Sequence, residues 1–123
     1  DRIIDAVRRG VAAPVFFDRV ASPSYIDDVA GAAAHLLAGG APFGLYHCVN
    51  SGHATWLELG QEIARVLDRP ASTLKPVSVD SVKLLARRPR YAALSNQKLA
   101  EAGYAMPTWQ DAIRRHLEQV TRP

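Results

Sequence analysis

The sequence predicts an α/β fold, because segments with helical spacing of apolar residues alternate with short apolar runs along the chain. Two further observations support this reading. Helix-capping patterns and helix-ending glycines recur between the segments, and only two or three strands are present, too few for a closed doubly wound sheet.

Taken in order, Asp1-Arg2-Ile3-Ile4-Asp5-Ala6-Val7 reads as a helix already under way, with no initiator Met, which implies a piece of a longer protein. Gly10 closes it, since a residue without Cβ suits a left-handed cap. Pro14-Val15-Phe16-Phe17 is expected as a buried strand. Ser24, with Asp27 three residues on, is expected to cap a helix carrying Ile26, Val29, Ala30, Ala33, Leu36 and Leu37, which Gly39-Gly40 stops. Gly44-Leu45-Tyr46-His47-Cys48-Val49-Asn50 is the best strand candidate, broken by Ser51-Gly52.

Thr55 and Glu58 form a full capping box for a helix with Trp56, Leu59, Ile63, Val66 and Leu67 on one face, ended by Asp68-Arg69-Pro70. A short strand is expected over residues 73–77 and a short helix over 78–86. Ser95 is placed to cap a helix closed by Gly103, and Pro107-Thr108 opens a last helix with Trp109, Ile113, Leu117 and Val120 inward. A boundary falls near residues 51–54, where strand–helix units give way to a mostly helical part.

A hydrophobic fraction of 48% against 22% charged residues fits a folded domain and argues against wholesale disorder. No apolar run is long enough to span a bilayer, so no membrane partner is expected. The single Cys48 excludes an internal disulfide framework and suits a reducing compartment, so a cytoplasmic location is expected. The net charge of +3 can attract an anionic partner, but basic and aromatic residues are not interleaved as in a nucleic-acid binder, so none is expected.

The charge is concentrated at Arg8-Arg9, Arg87-Arg88-Arg90 and Arg114-Arg115. Arg87, Arg88 and Arg90 flank Pro89 in an expected loop, where forked guanidinium groups suit a diphosphate; a basic surface loop is the alternative, and both stay open. Ser22 and Ser24 precede a helix N-terminus, which meets phosphates or hydroxyl-rich ligands; plain capping is the alternative. Trp56 and Trp109 can each stack a ring or pack in a core. The four histidines and Cys48 make no zinc pattern, so no metal is expected. No Gly-rich dinucleotide turn, P-loop or nucleophile elbow is present.

Several motifs, in order, resemble the C-terminal half of the dTDP-4-dehydrorhamnose reductase family, extended short-chain dehydrogenase/reductases that bind sugar nucleotides. Phe17-Asp18-Arg19-Val20-Ala21-Ser22-Pro23-Ser24 is similar to that family's Asp-Gln-x-Gly-x-Pro-Thr, and Tyr25-Ile26-Asp27-Asp28-Val29-Ala30 to the Tyr-Val-Asp-Asp-Val-Ala of the wider extended family. Gly44-Leu45-Tyr46-His47 with Ser51-Gly52 and Thr55-Trp56, then Arg87-Arg88-Pro89, then Pro107-Thr108-Trp109-Gln110, complete the resemblance. Arg19 stands for Gln, Ala21 for Gly and Ser24 for Thr, which leaves the exact sugar, and a related nucleotide-sugar epimerase or reductase, open.

The resemblance implies partial Rossmann-type sheet elements beside a mostly helical substrate-binding lobe. Residues 1–50 would be the last strand–helix elements of an NAD(P)-binding domain and 51–123 the substrate lobe. It implies an NAD(P)H-dependent 4-keto-sugar reduction by the whole enzyme, with dTDP-sugar as substrate. Ser22, Ser24, Tyr25, Arg87 and Arg88 would lie at that substrate.

The family's catalytic Tyr is followed four residues later by Lys, and none of Tyr25, Tyr46, Tyr91 or Tyr104 has Lys at that offset. The piece is therefore expected neither to catalyse nor to bind the cofactor alone. Its expected partners are the missing N-terminal Rossmann half and, through a sheet edge left open, a second copy of the chain. A non-catalytic interaction module is the competing reading.

Overall fold

The computed structural model describes residues 2–86 and 88–121, with the backbone alone at 121. Arg87, a predicted ligand residue, lies outside the described residues, as does Asp1. Among the described residues five α-helices and five short strands follow in chain order: α1 (Arg2–Arg9), β1 (Ala13–Phe16), β2 (Val20–Ala21), α2 (Ile26–Ala38), β3 (Ala54–Thr55), α3 (Trp56–Val66), β4 (Leu74–Val77), β5 (Tyr91–Ala92), α4 (Gln97–Glu101) and α5 (Trp109–Thr121). The α/β class expected from the sequence is the class observed.

Two small sheets organise these elements. β1 pairs in parallel with β4, Ala13 opposite Leu74 and Phe16 opposite Val77. β2 is the middle of a second sheet, antiparallel to β3 and parallel to β5. The main core lies where α1, α3 and α5 cover β1 and β4, and contains Ile4, Val7, Val15, Ile63, Ala64, Leu74 and Leu117. A second core joins Ala32 of α2 to Leu99 of α4 and Met106.

Several local signals act as expected. The Thr55 hydroxyl accepts from the Glu58 amide at 3.1 Å, while the Glu58 carboxylate accepts from the Thr55 amide at 2.7 Å, a reciprocal box at the start of α3. Thr108 caps α5 by accepting from the Asp111 amide. Gly10 ends α1 at φ 66°. Gly52, at φ 91°, lets the chain turn where an added Cβ would lie 3.0 Å from the Trp109 ring.

Other expectations are corrected. Residues 44–50 form no strand: Leu45 faces solvent, and among the described residues the first ladder contact after Gly44 comes at Ser51, bridged to Thr108. A strand needs a hydrogen-bonding neighbour, which local composition does not supply. Ser24 does not cap α2, because its hydroxyl donates back to the Ser22 carbonyl and Tyr25 occupies the N-cap position. The strand at 14–17 is present as β1, but only Val15 within it is buried and Phe17 is exposed, since β1 has a neighbour on one side only.

The helix expected over 78–86 is a single 3-10 turn, Val79–Ser81. Asp18 and Ser78 take up its amides, and Val82 then turns extended. Val120 faces outward rather than into the core. The apolar series on α2 is also rotated: Asp28 and Ala32 are buried, while Ile26 is 76% and Leu37 85% exposed.

Candidate ligand clefts

The rotation of α2 follows from a buried polar clasp. Asn50 accepts from the Tyr25 amide at 2.8 Å and donates to Asp28 at 2.6 Å and to the Pro107 carbonyl at 3.1 Å. Arg115 of α5 donates to the same Asp28 oxygen at 2.6 Å and to Asp111 at 2.7 Å. These bonds raise the Arg115 pKa above its ordinary value, the Asp28 bond foremost. Three distant parts of the chain are thereby locked together, and the Tyr25 ring is held with Arg115 5.0 Å from its centre and the His116 ring edge-on to it, the two ring centres 6.0 Å apart.

A second junction lies at Asp18-Arg19, in the connection from β1 to β2. Asp18 accepts from the Ser78 hydroxyl at 2.5 Å and the Val79 amide at 2.9 Å, with Arg90 at 3.6 Å. The Ser78 bond, then the Val79 amide and Arg90, hold its carboxyl below the usual carboxylate range. The Thr55 amide and hydroxyl do the same for Glu58, and Arg115 with Arg114 for Asp111.

A carboxyl depressed in the folded state contributes stability that is present above its unfolded value, about pH 4, and is lost as pH falls through the folded value. Urea midpoints should therefore hold steady from neutral pH down to about pH 5 and fall steeply below about pH 4. Asp18→Asn should flatten part of that fall.

Arg19, the next residue, turns to a different cavity. This cleft, about 660 Å³, is walled by α1 and β1 and closed by Trp56. Arg2, Arg9 and Arg19 line it together with Asp5, against the apolar Pro14 and Phe16. The Arg19 Nε is buried and, among the described residues, has no hydrogen-bond partner. Trp56 is 36% exposed and also borders a groove formed by α3, α5 and the start of α2, so it is an accessible flat wall. Trp109 is buried.

The residues singled out in the sequence fall in three places. Arg88 lines a hollow with Asp80, Leu84, Pro89 and Arg90, where Arg90 pairs with Asp80. Ser22 stands beside the same loop: its hydroxyl accepts from the Leu94 amide at 2.9 Å, next to the β2–β5 pairing and the bond from the Val20 amide to the Arg90 carbonyl. Ser24 and Tyr25 line the separate groove against Trp56, Trp109 and His116. Arg19 was visible in the sequence only as a departure from a motif, and its signal, a cation between an anchored Asp and a strand, needs the fold. Among the described residues no group of three His, Cys, Asp or Glu side chains is placed to hold a metal ion. No described helix is long and apolar enough to cross a membrane.

Elements in this order, with these two sheets, define an α/β lobe that solved proteins share. The dTDP-4-dehydrorhamnose reductase of Bacillus anthracis, solved in complex with NADP, superposes with a TM-score of 0.85 at 24% identity over 96% of this chain and 42% of that one. A dTDP-glucose 4,6-dehydratase of the same organism gives 0.74 at 15% identity over 95% of this chain and 37% of its own. Both are Rossmann-like, so the fold is shared with them.

The family described as RmlD substrate binding domain matches residues 2–122, and the chain belongs to it. Among its relatives, dTDP-4-dehydrorhamnose reductase of Streptomyces griseus is 36% identical over 90 residues, covering 70% of this chain and 30% of that protein. A probable dTDP-4,6-dihydroxy-2-methyloxan-3-one 4-ketoreductase of Streptomyces antibioticus is 29% identical over 91% of this chain and 38% of its own. The chain thus spans between about three tenths and two fifths of the length of these relatives.

Proposed function

We propose that this chain is the substrate-binding portion, from the C-terminal half, of an NAD(P)H-dependent reductase acting on a dTDP-linked 4-keto-6-deoxy sugar, dTDP-4-dehydrorhamnose or a close relative. The observation that carries the proposal is the match of a substrate-binding-domain family to almost the whole chain. The relatives' names share the dTDP carrier and differ in the sugar, which favours the nucleotide as the part recognised in common. Arg88, with Arg87 beside it, is assigned to the diphosphate, and Ser22, Ser24 and Tyr25 to the neighbourhood of the sugar.

The cofactor belongs to the remainder of the enzyme in this proposal. No described strand runs through a Gly-rich turn into a helix, and α2, α3 and α5 each carry a carboxylate in their first turn. Those acids already complement the helix dipoles and oppose a dinucleotide phosphate. NAD(P)H would supply the hydride in the intact enzyme.

The division is likewise proposed, with residues 1–50 as the last strand–helix elements of the cofactor domain and 51–123 as the substrate lobe, joined through the β1–β4 pairing and the packing of α1 on α3. Exposed Ile26, Leu37, Phe43 and Leu45 give residues 1–50 an apolar surface for the rest of that domain.

Calorimetric titration tests the reading. The chain should bind dTDP-rhamnose and dTDP saturably and show no heat with free rhamnose. Equal response to all three, or none to the nucleotides, would overturn it.

A further inference from the structure

We propose that Arg19 is the anion anchor of the α1–β1 cleft, its guanidinium taking a phosphate of a ligand whose ring lies against Trp56. Arg19 lines this cleft, with its Nε out of reach of solvent, so that any contact to a ligand falls to the rest of the guanidinium. The same cleft carries Arg2 and Arg9, so three guanidinium groups line it with the single carboxylate of Asp5. Its remaining wall is apolar, from Ile3, Pro14, Phe16 and Trp56. A small cation-rich, ring-walled cavity suits an amphiphilic anion such as a nucleoside diphosphate.

The backbone fixes Arg19 from both sides. Asp18 is tied to the turn at Ser78 and Val79, and Val20 is paired with Thr55 and Tyr91. Asp18 also faces Arg90, a wall of the hollow that Arg88 lines. Adjacent residues therefore serve the two cavities, with α-carbons about 3.8 Å apart. The resembled motif has Gln at this position, where this chain carries a charge. The inference rests on the nucleotide-sugar reading for the ligand's identity but not for its anionic group.

Titration of inorganic pyrophosphate, dTDP and thymidine into the wild-type chain and Arg19→Gln tests it. Arg19→Gln should weaken pyrophosphate and dTDP about tenfold or more while leaving thymidine unchanged. Arg19→Lys should recover only part of the loss. A folded Arg19→Gln protein with wild-type affinity for dTDP, or a wild type that binds neither anion, would overturn the proposal. Pyrophosphate binding lost with Arg19, with no gain from the thymidine moiety, would uphold Arg19 and sink the nucleotide reading. Should Arg19→Gln fail to fold, the Arg19 Nε–H resonance of the wild type decides: it should move on adding pyrophosphate, and a fixed resonance would overturn the assignment.

Discussion

Asn50→Ala is expected to destabilise the chain by about 3 kcal/mol, because the substitution strands several polar groups at once. Asn50 is 1% exposed and joins the Tyr25 amide, the Asp28 carboxylate and the Pro107 carbonyl. Each buried group left unpaired costs about 1–3 kcal/mol, offset where water reaches it. Urea unfolding followed by circular dichroism measures the loss, and a value under about 1 kcal/mol would show that the clasp contributes little.

Asn50→Asp separates charge from shape. It sets a second carboxylate against Asp28 in place of the 2.6 Å amide donor, so one of the two carboxyls is pushed up in the folded state. A raised pKa means that the folded state holds the proton more tightly. The variant should therefore be much less stable than wild type at pH 7, with the gap closing on acidification.

Leu117→Ala should cost about as much, roughly 3 kcal/mol, for a different reason. The side chain is 1% exposed and sits where α5 meets Ile4, Val7, Val15, Ile63, Ala64 and Leu74. Removing it takes away transfer free energy and leaves a cavity that a helix fixed by the Arg115–Asp28 clasp cannot collapse into. Leu37→Ala, on the open face of α2, should change stability by less than about 0.5 kcal/mol. Equal losses at the two positions would mean that the assignment of core and surface is wrong.

What the sequence made legible was local. The Thr55–Glu58 box, the Gly10 and Gly103 stops and the Thr108 cap depend on residues within one turn of each other, and all appear in the fold. Residues 44–50 look like a strand by composition, but pairing is decided by a neighbour elsewhere in the chain. The face of α2 was misread because Asp28, a polar residue, is the one buried, held by Asn50 22 positions away and Arg115 87 positions away.

The same holds for the candidate site. Arg88 and Ser22 could be picked out singly, yet their shared neighbourhood comes from the β2–β5 pairing. Arg19 gains meaning only from the cavity around it. Charge and motif point to the kind of ligand, while the fold decides which cations share a wall.

Two-dimensional NMR of the chain with dTDP-rhamnose tests the central claim most directly, since it reports where a ligand sits as well as whether it binds. The account predicts saturable shifts at Ser22, Ser24 and Tyr25, at Arg19 and the Trp56 indole, and along the loop from Arg88 to Ala92. A dispersed spectrum that stays flat, or shifts confined to residues away from all of these, would contradict it.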